Sequence, residues 1–143
     1  MKILVSACLL GDKCKYNGGD NFNEKVVEFV KNNEIVKVCP EVLGGLSIPR
    51  IPCEIKSGQV MTKDGTLCTA QFHQGAQKAL KMALEKNIDF AILKSRSPSC
   101  GKDKIYDGTF SGTLVKGNGI FAELLMQNGI KIFSEEEIDG IQN

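Results

Sequence analysis

An α/β domain of Rossmann-like, three-layer form, with a short and mostly parallel sheet of about four strands, is the fold class the sequence predicts. Short apolar runs at Lys2 to Ala7, Ile35 to Val38 and Phe90 to Leu93 have the length and continuity of buried parallel strands. Stretches with helical spacing alternate with them. Each run also opens into a glycine- or proline-rich loop that carries a cysteine: Cys8 in VSACLLG, Cys39 in VKVCPEVLGG and Cys100 in LKSRSPSCG. In open α/β sheets the carboxyl ends of the strands form the ligand crevice, so these thiols are expected to meet on one edge.

Taken in order, the first strand ends before a loop holding Gly11, Cys14, Gly18 and Gly19. Asn23 is a suitable cap for a helix whose Val26, Val27, Phe29 and Val30 face the sheet, and which stops near Asn32 and Asn33. With strand two this makes a βαβ unit, which requires parallel strands. The stretch from Pro40 to Pro52 is so crowded with proline and glycine that neither helix nor central strand is expected, only a fixed wall for the crevice. Pieces around Ile55 and Val60, separated by Ser57-Gly58, read as a small hairpin. From Thr69 to about Lys86, Phe72, Ala76, Ala79, Leu80, Ala83 and Leu84 fall on one helical face. Strand three opens into the serine-rich loop Ser95 to Gly101, and a looser segment runs through Tyr106, Asp107 and Gly108. A helix from about Asn118 to Asn128 ends at Gly129 and leads to a fourth strand, Ile130 to Phe133. Ser134 and Glu137 then have the spacing of a capping box for a short last helix.

Composition limits the function classes. The chain has 143 residues, which suits one domain (1–143) able to bury roughly two-thirds of its unfolded surface. A formal charge of +1 without basic or acidic blocks gives no electrostatic footprint for nucleic acid or for a membrane patch, so a small molecule is the expected partner. No apolar run approaches the about 18 residues of a membrane span. The stretch before Cys8 is also shorter than the apolar core of a signal peptide, about 7 to 15 residues. Six cysteines in a chain this rich in regular core pattern do not resemble a disulfide scaffold, so a cytoplasmic location with reduced thiols is expected. The pattern does not specify an oligomeric state.

Taken singly, Cys8, Cys39 and Cys100 read as ordinary buried cysteines. Together, at equivalent ends of three strands, they read as ligands. Zinc sites show Cys-x2-Cys pairs or added histidines, and neither is present. An iron–sulfur cluster fits better, and with three cysteines it leaves one iron open as a Lewis acid. Three roles stay open for Cys14: fourth ligand, shielding group or spectator. Cys53 and Cys68 read as packing residues. His73, the sole histidine, sits in the first turns of a helix, where a surface position is the simpler reading. Glu41, two residues after Cys39, is a candidate proton carrier, and a loop carboxylate facing solvent accounts for it equally well. Ser95, Ser97 and Ser99 are candidate donors to a substrate, although turn chemistry also explains serine beside proline. Arg50 and Arg96 are candidates for orienting an anionic or carbonyl group.

SACLLG at Ser6 to Gly11, CPEVLGGL at Cys39 to Leu46 with Pro49 and Arg50, and KSRSPSCG at Lys94 to Gly101 resemble the thiouracil desulfidase family. This is a small bacterial family formerly known only as a domain of unknown function. The resemblance runs over almost the whole chain, with the motifs in the family's order. It implies an oxygen-sensitive [4Fe-4S] cluster held by Cys8, Cys39 and Cys100 with one iron free. It also implies that sulfur leaves a 2-thiouracil-like base as hydrosulfide while water replaces it. The family's acid and base groups fall on Glu41 and Ser95. This chain departs from other members in the loop after the first cysteine, which carries the additional Cys14.

Two other function classes stand against this reading. A non-catalytic cluster protein delivering sulfur or iron would bind the base without releasing sulfide. A nucleotide-binding module would use the serine-rich loop for phosphate, yet the chain lacks a Gly-x-Gly-x-x-Gly or P-loop pattern.

Overall fold

The computed structural model describes residues 1–141. At its centre a four-stranded sheet runs in the order β2-β1-β5-β8, where β1 is Lys2–Ser6, β2 is Glu34–Val38, β5 is Phe90–Leu93 and β8 is Ile132–Ser134. Every neighbouring pair is parallel, with Leu4 opposite both Val36 and Ala91, and Ile92 opposite Phe133. Ile3, Leu4, Val5 and all of β5 are buried, as the continuous apolar runs require of central strands. β2 is an edge strand and departs from that pattern: Val36 and Val38 are buried while Ile35 and Lys37 are exposed.

Helices cover both faces. On one, α3 (Thr69–Lys86) and α4 (Ile120–Gln127) pack Ala76, Ala79, Leu80, Ala83, Phe121 and Leu125 against Leu4, Val36, Ala91 and Leu93. On the other, α1 (Glu24–Val30) and a C-terminal 3-10 turn (Glu135–Gly140) set Val26, Val30 and Ile138 against Ile3, Val5, Phe90 and Ile92. Each fully buried aliphatic or aromatic side chain among these contributes about 1.5–3 kcal/mol of transfer free energy. Asn23 caps α1 by accepting from the Val26 N–H at 3.1 Å. Ser134 and Glu137 close the expected capping box.

Several elements differ from the sequence reading. Pro40 to Leu43 forms a one-turn helix, α2, because proline at its first position loses no hydrogen bond there and already has a helical φ. The expected hairpin forms as β3 (Glu54–Lys56) and β4 (Gln59–Met61). A second hairpin, β6 (Lys104–Tyr106) with β7 (Leu114–Lys116), replaces the looser segment; its strands are short and only Ile105 is buried, which leaves little period to read. Leu84 faces solvent rather than the sheet. The first strand stops at Ser6 because Ala7 opens a 3-10 turn, Ala7–Leu10.

The chain order fixes where a ligand can sit. From β1 the chain goes to β2 on one side, and β5 lies on the other side of β1, so the loops after β1 and β5 diverge at their carboxyl ends. The crevice of a doubly wound sheet opens at that point.

Candidate functional site

A cavity of about 420 Å³ lies at this edge, and five of the six cysteines line it: Cys8, Cys14, Cys39, Cys53 and Cys100. Glu41, Arg50, Lys94 and the hydroxyl residues Ser95, Ser97 and Ser99 share its wall. All six cysteines are free thiols.

Each ligand candidate is placed by a different local device. Cys8 sits in the 3-10 turn after β1, and its carbonyl accepts from Gly11 at 3.2 Å and Asn21 at 3.0 Å, which folds the loop back. Cys39 is the residue before Pro40 and so has extended backbone at the N-cap of α2. α2 is pinned by α3, for a Cβ built on Gly75 would lie 1.8 Å from the Pro40 carbonyl oxygen. Cys100 lies seven residues beyond β5 in a turn held by the Ser97 hydroxyl, which accepts from the Ser99 and Cys100 N–H groups at 3.1 and 3.0 Å. The N-terminal N–H groups of α4 are satisfied by that same loop: Ile120 donates to Pro98, and Phe121 and Ala122 donate to Ser99.

The three sulfurs feel one another. Burial is the main cause that raises the Cys8 thiol, and Cys39 adds to it. Burial likewise pushes Cys100 up to about 12, with Cys8 and Cys39 contributing and hydrogen bonds from Ser6 and Ser99 opposing. Cys39 is lowered to about 7, chiefly because the Cys14 thiol hydrogen-bonds to it, and Cys14 is raised in turn. Among the described residues no three His, Cys, Asp or Glu side chains converge closely enough to hold a single metal ion. A cuboidal cluster makes a different demand, one thiolate at each of three irons, so its ligands are set apart around the group. Three soft, unpaired thiols around one cavity, with no imidazole among them, match that donor set.

Both oxygens of Glu41 are engaged. Oε1 accepts from Arg50 Nε at 3.1 Å, and Oε2 accepts from the Ser99 hydroxyl at 2.8 Å. Arg50 also donates to the Cys14 carbonyl at 2.8 Å and the Ser47 carbonyl at 3.2 Å, and its side chain is only 8% exposed. One guanidinium thus ties the carboxylate to the loop bearing Cys14. Ser99 also stands 3.7 Å from the Cys100 sulfur, so it spans the carboxylate and a thiol. Ser95 serves another partner: its hydroxyl donates to Glu135 Oε2 at 3.2 Å and accepts from Lys94 Nζ at 3.1 Å.

The remaining candidates divide. Cys53 lines the cavity as well as packing, whereas Cys68 is buried with Val60 and Phe72. Burial pushes the Cys53 thiol up to about 12. His73 is exposed and does not line the cavity. Arg96 reaches the wall but pairs with Glu136 at 3.3 Å. Sequence reasoning missed Glu135, which is close to the site only because β8 lies beside β5. The run of three glutamates opposite the cations of the KSR loop was the available clue.

Comparison with known proteins finds relatives over nearly the whole chain. A curated Bacillus subtilis (strain 168) protein, the uncharacterized protein YbbK, is 43% identical over an alignment covering 97% of this chain and 99% of that one. A solved structure of the [4Fe-4S]-dependent thiouracil desulfidase TudS is 40% identical, superposes with a TM-score of 0.91 and covers 97% of this chain and 93% of its own. The family model for 2-thiouracil desulfurase matches residues 3–137, and the chain belongs to that family.

Proposed function

We propose that this protein is a cytoplasmic, [4Fe-4S]-dependent desulfidase that converts a thiolated pyrimidine such as 2-thiouracil to the oxo base and hydrosulfide. Cys8, Cys39 and Cys100 would hold the cluster. The observation that carries the reading is the shared wall: three free thiols and the Glu41 carboxylate face one cavity at the carboxyl edge of the sheet, in a chain of this family. When bound, the cluster supplies a soft Lewis acid that prefers a thiocarbonyl sulfur to a carbonyl oxygen.

The chain's own residues do the rest. Arg50 fixes Glu41 by one oxygen and Ser99 by the other, so the carboxylate is presented to the cavity in one orientation. Glu41 takes a proton from the water that attacks the carbon bearing sulfur. Ser95, on the same wall, turns its hydroxyl from Glu135 to the base atom on which negative charge builds and donates a hydrogen bond to it. One water is consumed: its oxygen goes to the base, one of its protons leaves with sulfur as hydrosulfide, the other passes from Glu41 to solvent, and no electrons are exchanged.

Anaerobic reconstitution with iron and sulfide, followed by addition of 2-thiouracil, tests this. The expected result is uracil and sulfide formed in equal amounts over many turnovers. Binding of the base without sulfide release contradicts catalysis and supports a delivery protein for sulfur or iron.

A further inference from the structure

Glu135 lies outside the three cysteine motifs. It is the first residue of the C-terminal 3-10 turn, beyond β8, and its side chain is 10% exposed. Its Oε1 accepts from the Ser95 backbone N–H at 2.8 Å, and its Oε2 accepts from the Ser95 hydroxyl at 3.2 Å and lies 3.0 Å from Lys94 Nζ. Lys94 Nζ in turn donates to the Ser95 hydroxyl at 3.1 Å and to the Ser95 carbonyl at 3.2 Å. The three groups therefore form a closed triangle in which Ser95 both gives and receives a proton bond. Lys94 and Ser95 line the cavity, and Glu135 stands behind them.

The neighbouring glutamates show what a purely structural version looks like. Glu136 pairs with Arg96 at 3.3 Å near solvent, and Glu137 pairs with Lys102 at 2.8 Å while capping its own turn. Those pairs tie the loop down. Of these three glutamates only Glu135 reaches a hydroxyl in the cavity wall, at the cost of holding a carboxylate and an ammonium largely away from water, a cost that tight packing of apolar groups would avoid. A lone serine hydroxyl is also a weak acid, and it becomes useful when a cation can replace the proton it gives up.

We propose that Lys94 and Glu135 are positioning residues that make Ser95 a proton shuttle for the desulfidation step. As charge builds on the base, the Ser95 hydroxyl turns from Glu135 Oε2 to that atom, gives it its proton and takes one from the Lys94 ammonium, while Glu135 keeps hold of the Ser95 backbone N–H and of Lys94. When the new carbonyl forms, the proton returns by the same path, so the shuttle consumes none. This rests on the desulfidase reading above.

The test measures kcat, KM and iron content of the anaerobically reconstituted full chain with 2-thiouracil, for the wild type, S95A, E135Q, K94M and the double variant S95A/E135Q. The expected result for E135Q is a kcat lowered about 10- to 100-fold, with KM within about 3-fold of wild type and iron content unchanged. In the S95A background the same change should alter kcat by less than about 2-fold, because Glu135 has nothing left to act through. If E135Q does not load iron, K94M alone and combined with S95A carries the same comparison. Wild-type kcat in E135Q and K94M, or losses that simply multiply in the double variants, overturns the shuttle and leaves the desulfidase reading standing. Wild-type kcat in S95A overturns it as well. A wild-type holo-protein that releases no sulfide defeats the desulfidase reading itself.

Discussion

Glu41 receives a hydrogen bond on each carboxylate oxygen, from Arg50 and from Ser99, and this leaves it little freedom to swing away from the cavity. A carboxylate fixed in that way is suited to take a proton along one direction. Replacing it with glutamine keeps the shape but removes the base. E41Q is expected to lower kcat by about 10²- to 10⁴-fold while iron content stays at the wild-type level, as read by anaerobic sulfide release and iron assay. A variant that turns over normally would remove Glu41 from the mechanism. The glutamate itself was legible because it stands two residues from Cys39. Ser99 was legible only as a candidate donor to a substrate, not as the partner of Glu41, because that contact joins residues 58 apart in the chain and depends on how two loops meet. For Ser95 the sequence offered a role without the means, since Glu135 is 40 residues away and belongs to another strand's end.

At the scale of elements, the site depends on close approaches that only small residues allow. α2 and α3 touch through Gly44 and Gly75: a Cβ at Gly44 would stand 2.0 Å from the Gln71 carbonyl oxygen, and one at Gly75 would clash with Pro40. Both contacts are with backbone, so a methyl group cannot be accommodated by a side-chain rotation. G75A is expected to destabilise the fold by about 1–3 kcal/mol, measured by urea unfolding, and to lower activity because Cys39 and Glu41 move with α2. Unchanged stability would mean that the two helices are not held at this distance. The long elements were readable: α3 spans Thr69–Lys86 as its period predicts, and the capping box at Ser134 and Glu137 forms. The short ones were not. α2 is a single turn with no period to detect, and the β6–β7 hairpin offers one buried side chain, Ile105, where alternation needs several.

For the whole molecule, the strand order β2-β1-β5-β8 is what turns three distant cysteines into neighbours. Cys8 follows β1, Cys39 follows β2, and Cys100 lies in the loop after β5, so all three reach the carboxyl edge of adjacent strands. That the three reach one edge could be read from the apolar runs and the rule that βαβ units are parallel; the order of the strands could not. For Cys14 a place beside the ligands was one of three open roles; that Cys53 shares the wall was not read, since nothing in its local sequence marks a strand end. The most direct test is the iron content of the anaerobically reconstituted protein against its single Cys→Ser variants. About four irons per chain are expected for the wild type, C53S and C68S, and no stable cluster for C8S, C39S or C100S. Full iron content in any one of those last three variants would contradict the assignment of these thiols as its ligands.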